Sequence, residues 1–115
     1  MAHFRILFAC VCILTLLDLG LASILLLKSN VRDEIAERAR IIVAGAYANY
    51  HNLGLKVKYV ARRMKETYGR CTWNVVPNPG PYQLTADYWI VISGRQNLFY
   101  WTDFLIFSTR CNGQY

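Results

Sequence analysis

Residues 64–76, Met64-Lys65-Glu66-Thr67-Tyr68-Gly69-Arg70-Cys71-Thr72-Trp73-Asn74-Val75-Val76, change from helical to strand character within a few positions. Before Gly69 the apolar residues recur every three or four positions, as on one side of a helix. From Cys71 onward β-branched and aromatic residues dominate and are broken by turn formers, as in strands. Whatever lies on either side of this junction belongs to two different kinds of structure.

Working back from the junction, Val57, Val60, Ala61, Met64 and Tyr68 form one apolar stripe, with Gly69 placed to stop the helix. A second stripe precedes it in Val31, Ile35, Ala39, Ile42, Ala46 and Tyr50, ending near His51-Asn52, short of Gly54. Ser29 or Asn30 is positioned to cap this first helix, and Asp33 and Glu34 fall in its first turn, where the helix dipole favours negative charge. Working forward, Thr72 to Val76 reads as a strand, and the run Pro77-Asn78-Pro79-Gly80-Pro81 interrupts it because proline has no N–H to give a ladder. Tyr88 to Ile92 reads as a second strand, Ser93 to Asn97 as a turn and Leu98 to Trp101 as a third strand. Thr102-Asp103 then reads as a tight hairpin connection into a fourth, Phe104 to Ser108. Helices followed by strands predict an α+β domain: two amphipathic helices and a four-stranded antiparallel meander.

The 115 residues support a single domain. A composition of 55% hydrophobic and 14% aromatic against 17% charged residues excludes a disordered chain. The net charge of +6 favours anionic partners through long-range attraction. From Ile6 to Leu27 one ionisable group, Asp18, interrupts an apolar run flanked by Arg5 and Lys28. A charge near the centre of a membrane span costs roughly 2.5–3.5 kcal/mol. The better division is a signal peptide over 1–22, with Arg5, an apolar stretch to Leu17 and small residues at Gly20 and Ala22 before the cut. The alternative is a retained signal anchor over 6–27. Either leaves a folded domain over 23–115, and the signal directs the chain to the secretory pathway and the extracellular space, with membrane contact only through this start.

Catalytic chemistry is sparsely provided for. The two histidines, His3 and His51, stand in no spacing suited to a triad or a metal, the seven acidic residues are dispersed, and no glycine-rich phosphate loop occurs. The sequence therefore predicts a protein that is not an enzyme and needs no cofactor or metal. The run Lys56, Lys58, Arg62, Arg63, Lys65 and Arg70, opposed only by Glu66, reads as a solvated helix face or as a surface for an acidic partner. It lacks the interleaved aromatics that stack bases, so nucleic acid is not expected. Cys10 and Cys12 lie in the apolar start, which leaves Cys71 and Cys111 for a disulfide, for free thiols or for a bond between chains.

Several of these residues resemble the small dynein light chain family, the dimeric hub light chains. Ser23-Ile24-Leu25-Leu26-Leu27-Lys28 is similar to the short strand before the family's first helix. Val31, Asp33-Glu34, Tyr50 and Tyr68 follow its helices, and Thr72-Trp73 matches the pair that opens its next strand. Phe99-Tyr100-Trp101-Thr102-Asp103-Phe104-Leu105-Ile106-Phe107-Ser108 resembles its last hairpin. The likeness runs over residues 23–110. It departs at Pro77–Asp87, where the family has a glycine-phenylalanine-glycine-serine segment, and at Asn74, where it has histidine.

The resemblance implies a short N-terminal strand and a homodimer whose edge strand pairs with extended peptides by β-augmentation. It places the peptide-binding residues at Tyr88, Trp89, Ile90, Val91 and Ile92, with Lys56 and Tyr100 nearby. It also sets the start of the Thr72 strand beside the end of the last one, which pairs Cys71 with Cys111. A dynein intermediate chain in the cytoplasm is the partner the family implies, whereas a translocated domain would not meet cytosolic dynein. A membrane-anchored or secreted structural or effector protein with no dynein role is the competing reading. If the disulfide forms, peptide-resolved mass spectrometry of secreted material will show Cys71 and Cys111 alkylated only after reduction; labelling of both without reductant would exclude the pairing.

Overall fold

The computed structural model describes residues 23–81, 85–97 and 99–115. The signal-peptide reading of residues 1–22 lies outside the described residues, as does Leu98, where the expected third strand began. The chain forms strand β1 (Ser23–Ser29), helix α1 (Asp33–Asn49), helix α2 (Leu53–Thr67) and strands β2 (Thr72–Pro77), β3 (Trp89–Arg95) and β4 (Trp101–Thr109). The four strands make one antiparallel sheet in the order β1-β3-β4-β2, so the α+β class and the short N-terminal strand are as expected. Ser23 to Leu27, which the anchor reading includes, belong to β1.

Alternation along the strands sorts their side chains onto two faces. Ile90, Ile92, Phe104 and Ile106 point toward the helices and are fully buried, with Trp73 beside them. The helices supply Ile35, Ala39, Ile42, Val43 and Ala46 from α1, and Val60 and Met64 from α2. Ala39 and Ala46 are small enough to bring the α1 backbone close to the sheet, and neither retains any exposure. Each fully buried large aliphatic side chain contributes about 1.5–3 kcal/mol relative to an exposed one. Trp73 satisfies its one donor by giving Nε1–H to the Tyr68 carbonyl at 2.8 Å.

Two local expectations change. Neither Ser29 nor Asn30 caps α1: its N-cap is Arg32, with no side-chain cap bond. Ser29 closes β1, and Asn30 continues the same ladder. Its N–H donates to the Trp89 carbonyl at 3.1 Å, its Oδ1 accepts from Trp89 N–H at 2.7 Å, and its Nδ2 donates to the Asp87 carbonyl at 3.0 Å. The second change is the hairpin. Thr102 and Asp103 are not a turn but rungs of β4, opposite Gly94 and Ser93. The reversal falls between Arg95 and Trp101, where Asn97 Oδ1 accepts from the N–H groups of Phe99 (2.9 Å) and Tyr100 (3.1 Å). An asparagine that takes up the backbone donors after it defines the reversal, so Phe99 and Tyr100 stand outside any strand, and Trp101, Thr102 and Asp103 run unbroken into the strand expected at Phe104–Ser108.

Gly94 is required by packing. A Cβ there would lie 2.5 Å from the Tyr47 ring, whose own edge meets Phe104 with centroids 6.1 Å apart. Gly94→Ala is expected to lower stability by about 1–3 kcal/mol, the range for overpacking. Gly80→Ala, where nothing lies within 4 Å of the added carbon, is the matched control in urea denaturation; equal midpoints would remove this account of Gly94.

Candidate functional site: the open β2 edge and its basic cleft

A sheet binds an added strand only where backbone donors and acceptors are unpaired. The strand expected to do so, Tyr88 to Ile92, has no such edge. β3 is hydrogen-bonded to β1 on one side and β4 on the other, and Ile90 and Ile92 lie in the core. Tyr88 precedes the strand and packs into an aromatic group with Trp73 and Tyr115. Trp89 is half-buried and Val91 is buried on the sheet face away from the helices. Tyr100 stands at the hairpin tip, 75% exposed, at the opposite end of β3 from Tyr88. The five strand residues, Lys56 and Tyr100 therefore do not form one surface.

Lys56 differs from the rest of the basic run in being 5% exposed. Its Nζ donates to the His51 carbonyl and to Gln96 Oε1, each at 3.1 Å, and sits 4.3 Å from the centroid of the Tyr47 ring. Gln96 Nε2 approaches His51 Nδ1 at 2.8 Å, and because an amide nitrogen only donates, Nδ1 is the acceptor. No ion pair among the described residues includes Lys56. Burial holds its pKa below the usual lysine value, and burial also raises that of Tyr47, against a hydrogen bond with Thr102 that lowers it. Lys56 thus ties the α1–α2 junction to the β3–β4 hairpin and is not presented to a ligand.

Among the described residues, the open edges of the sheet are β1 and β2. β1 is interrupted by a register shift between Leu26 and Lys28, the kind of bulge that blunts an edge. β2 pairs with β4 in unbroken register from Thr72↔Thr109 to Pro77↔Phe104. Asn78 N–H donates to the Asp103 carbonyl at 2.7 Å in that same register, and inward-bonded residues alternate along an antiparallel strand. Thr72, Asn74 and Val76 therefore bond β4, while Trp73 and Val75 turn their N–H and C=O groups to the open side. Pro77 offers a carbonyl alone and ends the edge.

Beside the start of this edge, a cleft of about 390 Å³ separates α2 from β2. Its walls include Arg62 and Lys65 of α2, Thr72 and Trp73 of β2, and Arg70 and Arg110. Arg62 shares Glu66 with Arg63, at 3.8 and 2.8 Å. No ion pair among the described residues includes Lys65 or Arg110. Arg70 and Lys65 belong to one basic run in the sequence, whereas Arg110 lies far along the chain from both. What joins them is the pairing of Cys71 with Cys111, whose sulfurs lie 2.09 Å apart, at bonding distance. The tail beyond Cys111 is held to the same corner. Asn112 N–H donates to the Arg70 carbonyl at 2.6 Å, Arg70 N–H to Tyr115 Oη at 2.7 Å, and Tyr115 N–H to Tyr88 Oη at 2.9 Å.

A larger hollow, about 620 Å³, lies on the other face of the sheet between Val76, Leu105 and Phe107 and the β2–β3 connection at Pro79–Pro81 and Thr85–Asp87. Among the described residues no group of His, Cys, Asp or Glu is arranged to hold a metal, and no helix is long and apolar enough to cross a membrane. No protein-family model matches the chain, and no curated protein matches it.

Lys56 gives a pH dependence whose sign follows from its burial. Its folded pKa lies below the ordinary 10.5, so the unfolded chain binds more protons as pH rises between the two values. The penalty of burying the ammonium is fully present below the folded pKa and is relieved as pH climbs through it. The urea midpoint of the native chain should gain on that of Lys56→Met from neutral pH up to about 10, before tyrosines ionise; parallel curves would show that the ammonium is not desolvated.

Proposed function

We propose that this chain is a non-enzymatic interaction module that binds extended segments of other proteins by adding them as a strand to the open edge of β2. One observation carries this reading: β2 is an unbroken edge strand with Trp73 and Val75 directed outward, next to a cleft that would receive side chains from the added strand. β3, the strand first expected in this role, is replaced by β2, and the mode of recognition is retained. Main-chain bonds supply affinity in such complexes and flanking pockets supply selectivity.

The same proposal includes a homodimer. Its support is the apolar character of the sheet face away from the helices, where Leu25 is 50% and Val76 39% exposed, together with the resemblance to dynein light chains. That resemblance makes a dynein intermediate chain one possible occupant of the edge. The apolar start of the chain supports a partner in the secretory pathway instead.

The test is a selection of binders from a random peptide library, followed by two variants. Val75→Pro removes an outward N–H and spares every bond to β4, and proline is tolerated at such a position. It should abolish peptide binding with little loss of stability. Asn74→Pro, whose N–H bonds β4, should unfold the edge. Bound peptide should slow amide exchange at Trp73 and Val75. A peptide that binds Val75→Pro as well as it binds the native chain would defeat the assignment.

A further inference from the structure

We infer that the segment added to β2 is acidic, with carboxylates on alternate residues, and that the Cys71–Cys111 bridge assembles the site that reads them. This rests on the strand-addition reading above and names the chemistry of the partner. In a strand paired to β2, every second side chain faces the helix layer. On that side stands the cleft between α2 and β2, with Arg62 and Lys65 on the helix and Arg70 and Arg110 at the strand ends. Of these four cations, only Arg62 has a carboxylate partner among the described residues, and it shares that one with Arg63. Converging like charges in a cleft focus potential and favour an oppositely charged occupant.

The sequence position of the two arginines gives the bridge its role. Arg70 immediately precedes Cys71, and Arg110 immediately precedes Cys111. The cysteines are 40 residues apart in sequence, yet their Cα atoms lie 3.9 Å apart. Closing the bridge therefore brings two cations from distant parts of the chain to one end of the cleft. Arg70 is further oriented by donating to the Gln114 carbonyl at 2.5 Å and by lying 5.5 Å from the centroid of the Tyr115 ring. Arg110 has a positive φ of 50°, so its backbone turns sharply as the chain leaves β4 and enters the bridge. Two arginines that line one cleft beside a covalent link form a site an anion would neutralise. Single-stranded nucleic acid would also meet these charges, but the cleft offers it only Trp73, a buried residue (6% exposed) unavailable for stacking.

The experiment uses the 115-residue chain and two labelled peptides of extended Val/Thr sequence, one with Glu and one with Gln at alternate positions. The Glu peptide should bind about tenfold tighter at low salt, with the advantage shrinking as salt rises. Arg110→Gln and Lys65→Gln should each reduce the preference by about threefold while leaving the Gln peptide unaffected. The Cys71→Ser/Cys111→Ser double variant should also lose preference, and the two charge variants keep the test valid if that one does not fold. Equal affinity for both peptides, each abolished by Val75→Pro, would overturn the acidic preference and leave strand addition standing. Glu-peptide binding that survives Val75→Pro would overturn strand addition. No binding of either peptide, or tighter binding of a single-stranded oligonucleotide than of the Glu peptide, would overturn the proposal outright.

Discussion

The structure depends on covering one face of a β-sheet whose central pair of strands is apolar on both sides. Ile90, Ile92, Phe104 and Ile106 have no exposure, and they lose it to two helices that come earlier in the chain. Because β3 and β4 carry these four side chains, they must sit in the middle of the sheet, under the helices. β1 and β2 are left to the outside by the same requirement. The position of the edges, and hence of any strand that could be added, follows from where the core has to be.

The two edges are not equivalent. β1 carries a bulge between Leu26 and Lys28. β2 is regular, short and closed by Pro77, and it lies beside the more basic of the two helices. A short receptive edge limits unwanted pairing, since only two residues present both donor and acceptor outward. The cleft then supplies the selectivity that backbone bonding lacks.

Much of the fold was legible in local pattern. The 3.6-residue stripes in 31–50 and 57–68 mark the two helices, and the switch at Gly69–Cys71 marks the change to strands. Asn52 illustrates what pattern alone leaves out: it caps α2 by accepting from Leu55 N–H at 3.0 Å, within two residues of the expected break. The hairpin was misplaced because Thr102-Asp103 has turn-like composition, whereas Asn97 uses its side chain to make the turn. Strand order was not legible. Which strands lie inside depends on contacts far apart in sequence, and both β2 and β3 read as half-apolar segments. Lys56 stands in the sequence as one of a basic run, open to a solvated or a partner-binding reading, because its burial comes from Tyr47 and Gln96, far from it in sequence or on other elements. The site was legible only in part: the basic run and the cysteine pair were visible, but their convergence on one cleft was not.

Ser23, Arg95 and Trp101 form one row across β1, β3 and β4. The start of β1 therefore lies beside the hairpin tip, where Phe99 is 84% and Tyr100 75% exposed. β4 runs from that row to Thr109 in eight steps of about 3.4 Å, which puts the Arg110 corner roughly 27 Å away. The aromatic tip and the cationic corner therefore occupy opposite ends of the sheet.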